Sequence, residues 1–308
     1  MTGRPGGRAP RVAIDGVILL DKPTGLTSQT AVTHVKRLFN AAKAGHTGTL
    51  DPMATGLLPV ALGEATKFSS ALLDAPKGYL ATIRLGTTTT TGDLEGEVTG
   101  THTVTVDRDR IEAALAQFRG DIVQTPPMYS ALKHAGKPLY RYAREGQEVA
   151  REPRRVAITR LTLEGILGTD LEVAVECSKG TYVRVLAEDI GAALSCGACL
   201  AALRRTRAGA FEIAQAVGLD ALAAMNEAER GHRLLPVDAL LAGVPVLALE
   251  RHEADRIMNG RTIDCDRAPQ GTLVRLYGPD QAFLGLAETG RAGELQPRRL
   301  IASKAANG

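Results

Sequence analysis

Residues 44–59 read Ala-Gly-His-Thr-Gly-Thr-Leu-Asp-Pro-Met-Ala-Thr-Gly-Leu-Leu-Pro, and the Asp51-Pro52 pair inside them dictates the local backbone. Proline disfavours α geometry at the residue before it, so Asp51 must sit on extended or turn backbone. Gly45 and Gly48 leave room for another molecule to approach. The run therefore presents one carboxylate outward from a tight loop. Asp followed by Pro also begins helices, with Asp as the cap and Pro at the first helical position. A cap needs neither the His-Thr-Gly-Thr-Leu before Asp51 nor the Ala-Thr-Gly after Pro52. Asp51 is thus the candidate reactive group, and the same residue can cap and react.

Periodicity supplies the frame around this loop. Val12 to Asp21 is apolar and β-branched and predicts a strand, and Ser28 opens a helix whose Val32, Val35 and Leu38 share a face. Gly63 to Leu73 predicts a second helix and Tyr79 to Gly86 a strand. Asp107 caps a helix with Ile111, Leu115 and Phe118 on one stripe, ended by Gly120. Val156 to Ile166 and Leu171 to Cys177 predict strands, and Tyr182 to Leu194 a helix leaving a turn at Gly180. Strands and helices mix without regular βαβ alternation, which indicates an α+β fold. Beyond a helical stretch at 219–242 the chain becomes rich in Gly and short β-like runs, such as 271–277 and 282–287. Residues 244–303 are expected to form a small all-β domain behind a main domain at 12–243, with a disordered basic tail at 1–11 and a short tail at 304–308.

Composition restricts the function classes. The chain has 308 residues, 44% of them apolar, enough for one large and one small core. No apolar run approaches the ~18 residues of a membrane span, and the Gly/Arg/Pro-rich start lacks a signal-peptide core. A soluble cytoplasmic protein is expected. Cys196 and Cys199 have the spacing of half a zinc site, but Cys177 and Cys265 stand alone and no nearby His pair completes the set, so inert thiols in a reducing compartment are expected and no metal. The threonines at 87–91 lack the Gly-Lys-Ser/Thr ending of a P-loop.

Formal net charge is only +3, so a nucleic-acid surface must be a local patch. Residues 133–160 supply one: eight basic residues (Lys133, Lys137, Arg141, Arg144, Arg151, Arg154, Arg155 and Arg160) stand against three acidic ones. Lys137, Tyr140, Arg141, Tyr142 and Arg144 interleave cations with rings at helical spacing, which suits phosphate contacts with base or sugar stacking. Arg204, Arg205 and Arg207, and then Arg298, Arg299 and Lys304, form weaker patches of the same kind.

The loop resembles the catalytic loop of the TruB family of tRNA pseudouridine synthases, and further strings follow in the family's order. They are Gly16 to Gly25, Lys77-Gly78-Tyr79, Leu85-Gly86 to Asp93, Gln124 to Lys133, and Cys177 to Arg184. The resemblance implies a pseudouridine synthase-type catalytic domain with a mixed, largely antiparallel sheet flanked by helices. More loosely, it implies a C-terminal PUA-like RNA-binding domain. It also implies isomerisation of uridine 55 in the T arm of tRNA, with Asp51 engaging the nucleoside at sugar C1′, at uracil C6, or at a sugar proton.

Further roles follow from the same resemblance. Arg184 pairs with Asp51, Asp93 holds Arg184, Tyr79 helps C5 lose its proton, and Leu203 walls the uracil pocket. His46 contacts the RNA and is not a general base. Lys22 with Pro23 supports the loop or touches RNA, while Tyr182 and Lys133 join Lys137, Tyr140, Arg141 and Arg144 as substrate contacts. Thr90 stands where relatives often carry an acid. A stacked uridine cannot reach Asp51, so the nucleotide must be flipped out, at a cost of a few kcal/mol. An insertion at about 125–152 is expected to grip the arm. No cofactor, guide RNA or membrane is implied, and a monomer is expected. The competing expectation is a noncatalytic tRNA-binding or folding protein on the same scaffold.

Overall fold

The computed structural model describes residues 11–290 and 293–302. The tails at 1–10 and 303–308, with Lys304, lie outside the described residues. A ten-stranded mixed sheet forms the frame. Its strands are β1 (Gly16–Lys22), β2 (Ala44–His46), β3 (Thr55–Leu62), β4 (Lys77–Leu85), β5 (Gly120–Gln124), β6 (Arg154–Leu167), β7 (Asp170–Cys177), β8 (Ala198–Ala208), β9 (Phe211–Glu212) and β10 (Val217–Gly218). The order is β10-β1-β3-β8-β4-β7-β6-β5, with β2 on β3 and β9 on β8. Only β1/β10 and β3/β8 run parallel.

Helices α1 (Ser28–Leu38), α2 (Arg108–Ala116) and α3 (Val183–Ala193) bury Val32, Val35, Ile111, Leu115, Leu186 and Ile190 in the larger core beneath the sheet. Their starts match the expectation. Thr27 caps α1 by accepting from Thr30 N, and Asp107 caps α2 by accepting from Arg110 N. The segment at 63–73 is a 3-10 turn followed by a short helix, not one continuous helix.

Strands β1 and β3 are buried on both faces. Ile18, Leu20, Leu58, Val60 and Leu62 enter the larger core, while Val17, Leu19, Leu57 and Ala61 enter a second cluster with Phe68, Phe211 and Leu241. This sandwiching explains the unbroken apolar text Leu-Leu-Pro-Val-Ala-Leu, which carries no strand period.

A separate five-stranded sheet closes the chain, built from Val246–Ala248, Leu273–Tyr277, Phe283–Thr289, Glu294–Leu300 and Ile263–Asp264. It is not purely β: helix α4 (Arg251–Met258) buries Ala254 and Ile257 against it. Phe283 meets Phe68 edge to face at 5.3 Å, and Asp238 accepts from Arg275 and Tyr277, fastening this sheet to the main body.

Residues 125–153 leave the sheet and return to it at one point, because Gln124 pairs with Arg154 across β5 and β6. The excursion carries a two-residue ladder, Lys133–His134 with Lys137–Pro138, and a short helix at Leu139–Arg144. It forms a lobe at the sheet edge beside the loop that holds Asp51. No helix among the described residues is long and apolar enough to cross a membrane.

Candidate active site

Asp51 follows the turn after β2 and precedes β3, and no helix begins there. The capping alternative fails because Ala54 N closes a turn on Asp51 O and the chain then runs directly into a strand. Four residues from two neighbouring segments clamp the loop by its backbone. Ser28 Oγ donates to Leu50 O (3.0 Å) and accepts from Leu50 N (2.8 Å). Gly25 N donates to Pro52 O at 2.8 Å, and Thr24 Oγ1 to Met53 O at 3.2 Å. Lys22 is 0% exposed and donates to Pro23 O, Leu26 O and Pro52 O at 3.0, 2.7 and 3.3 Å. It cannot touch RNA from there, and it holds the loop from beneath. Burial lowers its amine to about 8, against the pull of Asp51. Thus the Asp21-Lys-Pro-Thr-Gly string and the start of α1 together fix where the carboxylate sits.

That carboxylate opens into a cleft of about 650 Å³, within the ~300–1,000 Å³ of small-molecule sites. Its walls include His46, Asp93, Glu95, Tyr129, Tyr140, Arg144 and Arg184. Arg184 stands in the first turn of α3, where a cation gains nothing from the helix dipole and must be held by other partners. Gln124 sets that helix start, accepting from Tyr182 N at 3.0 Å and donating to Tyr182 O at 3.3 Å. The Arg184 side chain is 5% exposed, with Nε 3.0 Å from Asp51 Oδ2 and 3.5 Å from Asp93 Oδ2. Its Nη1 donates to Thr91 O (3.0 Å) and its Nη2 to Tyr129 O (2.7 Å). One guanidinium therefore joins the Asp51 loop, the Asp93 turn and the lobe.

Asp93 is further fixed by Thr91 Oγ1 at 2.6 Å and Glu95 N at 3.1 Å. Thr90, the departure from the acidic residue, accepts from Glu97 N at 3.1 Å and completes the same turn without charge.

Burial pushes the Asp51 pKa above the usual carboxylate range, Arg184 pulls it down, and Asp93 pushes it up again. Glu95 is raised by burial and by Asp93 and Asp51. His46 is lowered by burial and then by Arg205, so its imidazole is neutral near pH 7. Its Nδ1 accepts from Gly48 N at 3.3 Å, which leaves the N–H on Nε2. His46 is thus a hydrogen-bond donor at the cleft.

The remaining candidates divide. Tyr140 and Arg144 line the cleft, with the Arg144 guanidinium 5.5 Å from the centre of the Tyr140 ring. Lys137, from the strand before that helix, lies 4.5 Å over the Tyr142 ring and reaches both Glu145 oxygens at 2.7 and 2.6 Å. Its charge is already matched. Arg141 and Lys133 are exposed outside the cleft. Leu203 and Tyr79 are not among the residues that line this cleft: Leu203 is buried in the larger core, and Tyr79 lies on β4, packed against that core and paired in register with Arg205 on β8 and Val175 on β7.

The arginines at 204, 205 and 207 form no surface patch. Arg204 grips Asp21 through two bonds (3.0 and 2.7 Å), Arg207 meets Glu176 at 2.6 Å, and Arg205 is 1% exposed. Arg298 is likewise paired, with Glu288 at 2.7 Å. Sequence reasoning missed Ser28, Glu95 and Tyr129 as cleft residues, and Arg205 as a buried one. The signal for Arg205 was available, since it pairs with Gly56, a glycine inside an apolar strand that marks a close approach of backbone.

Comparison with known proteins shows the family. The family model described as TruB family pseudouridylate synthase (N terminal domain) matches residues 36–183. Those described as tRNA pseudouridylate synthase B C-terminal domain and Pseudouridine synthase II TruB, C-terminal, match 184–242 and 245–301. Among curated relatives, tRNA pseudouridine synthase B of Azoarcus sp. (strain BH72) is 55% identical over 96% of this chain and 98% of its own. The protein of the same name from Burkholderia mallei (strain ATCC 23344) is 53% identical over 99% of both. Among solved structures, a Cbf5-Nop10-Gar1 complex matches with a TM-score of 0.71 at 27% identity, covering 93% of this chain and 85% of that one. An H/ACA RNP bound to a substrate RNA containing 2'-deoxyuridine gives 0.71 at 25% identity, covering 94% and 86%. With relatives above half identity along nearly its whole length, the chain belongs to the TruB family of tRNA pseudouridine synthases, isomerases that act on uridine in tRNA.

Proposed function

We propose that this member isomerises uridine 55 in the T arm of tRNA, with Asp51 as the catalytic carboxylate and the target nucleotide flipped into the cleft. The observation that carries the reading is the Arg184 Nε contact with Asp51 Oδ2 at 3.0 Å in a cleft large enough for a nucleoside. Burial raises the Asp51 carboxylate, and Arg184, itself held by Asp93, pulls it back towards the ionised form. In the reaction the N1–C1′ bond breaks and a C5–C1′ bond forms, while C5 loses a proton and N1 gains one. Atoms balance without a co-reactant.

Asp51 engages the nucleoside, Tyr79 assists removal of the C5 proton, and Leu203 backs the uracil. His46 donates from Nε2 to the displaced RNA backbone. Tyr140 offers a ring for stacking, and the lobe at 125–152 grips the arm with Arg141 and Arg144 turned to phosphates. The C-terminal sheet serves as a PUA-like RNA-binding domain. The enzyme works in the cytoplasm as a monomer, with tRNA as its partner, and needs neither cofactor nor guide RNA.

The test is to map pseudouridine in an unmodified tRNA transcript incubated with the purified protein alone. One pseudouridine is expected, at the T-arm uridine. Loss of product in EDTA, dependence on a guide RNA or a second protein, or binding without product would contradict the proposal.

A further inference from the structure

Arg205 is buried in the middle of β8 at 1% exposure, directly under the reactive loop. Its Nε donates to Leu57 O at 2.7 Å, its Nη2 to Gly48 O at 3.1 Å and its Nη1 to Thr49 O at 3.5 Å. Tyr79 stands opposite Arg205 in the register of β4 and β8; burial raises the Tyr79 hydroxyl and the Arg205 charge pulls it back down. No carboxylate pairs with Arg205 among the described residues, and the acids nearest the loop, Asp51 and Asp93, belong to Arg184. A buried cation resting on neutral acceptors is costly to fold around, and an apolar side chain would pack there at lower cost. The surrounding chain is shaped to admit it. A Cβ on Gly56 would lie 2.3 Å from Arg205 O and 2.7 Å from Arg205 N, so only glycine lets β3 approach. Burial lowers His46, Lys22 and Lys77, and the field of this cation adds to the lowering at each.

We propose that Arg205 is a positioning residue for the isomerisation: its single fork holds the backbone on both sides of Asp51 from the strand position opposite Tyr79, and so sets the separation of carboxylate and phenol. A planar guanidinium holds three carbonyls through three separate nitrogens at fixed angles, a geometry that the single nitrogen of an ammonium does not reproduce. The inference rests on the proposed roles of Asp51 and Tyr79.

Arg205→Lys and Arg205→Met separate the fork from the charge. Three quantities are measured: tRNA affinity, the single-turnover rate at saturating enzyme, and the His46 titration by NMR. Arg205→Lys is expected to slow turnover about tenfold or more with affinity within about threefold and an unchanged His46 titration, because the charge remains. Arg205→Met is expected to slow turnover about a hundredfold and to move the His46 titration to higher pH as the cation beside it is lost. Combined with Tyr79→Phe, either variant should lose less than the product of the two separate effects.

If Arg205→Met does not fold, Arg205→Lys decides. A rate within twofold of the parent, a rate loss matched by an equal affinity loss, or failure of both variants to fold would each overturn the proposal. Asp51→Asn is run alongside. Turnover surviving in that variant would unseat the proposed function itself, a result distinct from any of these.

Discussion

Replacing Arg184 with Ala removes the one group that touches Asp51, Asp93, Thr91 O and Tyr129 O together. Deleting one partner of a buried pair costs about 3–5 kcal/mol, mostly the penalty of the charge left behind. Asp93 is 5% exposed and stays buried, whereas Asp51 is 38% exposed and regains water, which places the loss near the lower figure, about 3 kcal/mol. At about 2 °C per kcal/mol for a chain of this size, the melting temperature should fall by about 6 °C.

The chemical consequence is larger. Arg184 is the strongest influence holding the Asp51 pKa down, so its removal lets burial and Asp93 raise that pKa further. In the proposed role of Asp51, activity needs the ionised carboxylate and is lost as pH falls through the folded-state pKa, so the acid limb of the rate profile is predicted to move to higher pH. The loop also loses its tether to the lobe, and misplacement of about 1 Å costs roughly a hundredfold. Single-turnover rates across pH, with a melting curve for each variant, provide the assay. Arg184→Lys should be intermediate, since one nitrogen cannot serve four oxygens. An acid limb that stays in place, or a rate within tenfold of the parent, would refute the reasoning.

Arg141→Ala with Arg144→Ala should reduce the slope of log affinity against log salt by about 1–2, while Lys137→Ala should change it little because Glu145 already neutralises Lys137. Titrations at several salt concentrations check both. Lys22→Met should leave the carbonyls of Pro23, Leu26 and Pro52 without their donor, costing about 1–3 kcal/mol and slowing turnover more than it weakens tRNA binding. Gly56→Ala should be among the most damaging single-methyl additions, about 3 kcal/mol or more, because the new carbon meets Arg205 backbone and φ is +99°; thermal melts measure it.

The helices and several strands were legible because their signals are local. Thr27 and Asp107 cap, Val32 and Val35 repeat at helical spacing, and β4 alternates. The two strands that matter most to the site, β3 and β8, left no such signal. β3 is buried on both faces and contains Gly56 and Pro59, residues that usually break strands. β8 carries Arg204, Arg205 and Arg207, and three arginines suggested a basic surface. One is instead buried on carbonyls and two are tied to Asp21 and Glu176 across the sheet, contacts distant in sequence. Helix α4 in the C-terminal sheet was hidden because Ala254 and Ile257 are its only buried residues. At the site, the Asp51 loop announced itself through its glycines and proline. Its supports, Ser28 Oγ and the Arg205 fork, act through backbone carbonyls and leave no trace in residue spacing.

The most direct measurement is the single-turnover rate of Asp51→Asn at saturating enzyme, beside its tRNA affinity and melting temperature at neutral pH. The account predicts no detectable pseudouridine and affinity within about tenfold, or 1.4 kcal/mol, of the parent. It also predicts a melting temperature no lower than the parent's. The folded state raises the Asp51 pKa, so the ionised form costs stability above that pKa, and the neutral amide escapes the cost. Pseudouridine formed by Asp51→Asn at a substantial rate would contradict the central claim, and a collapse of both affinity and melting temperature would make Asp51 a structural residue.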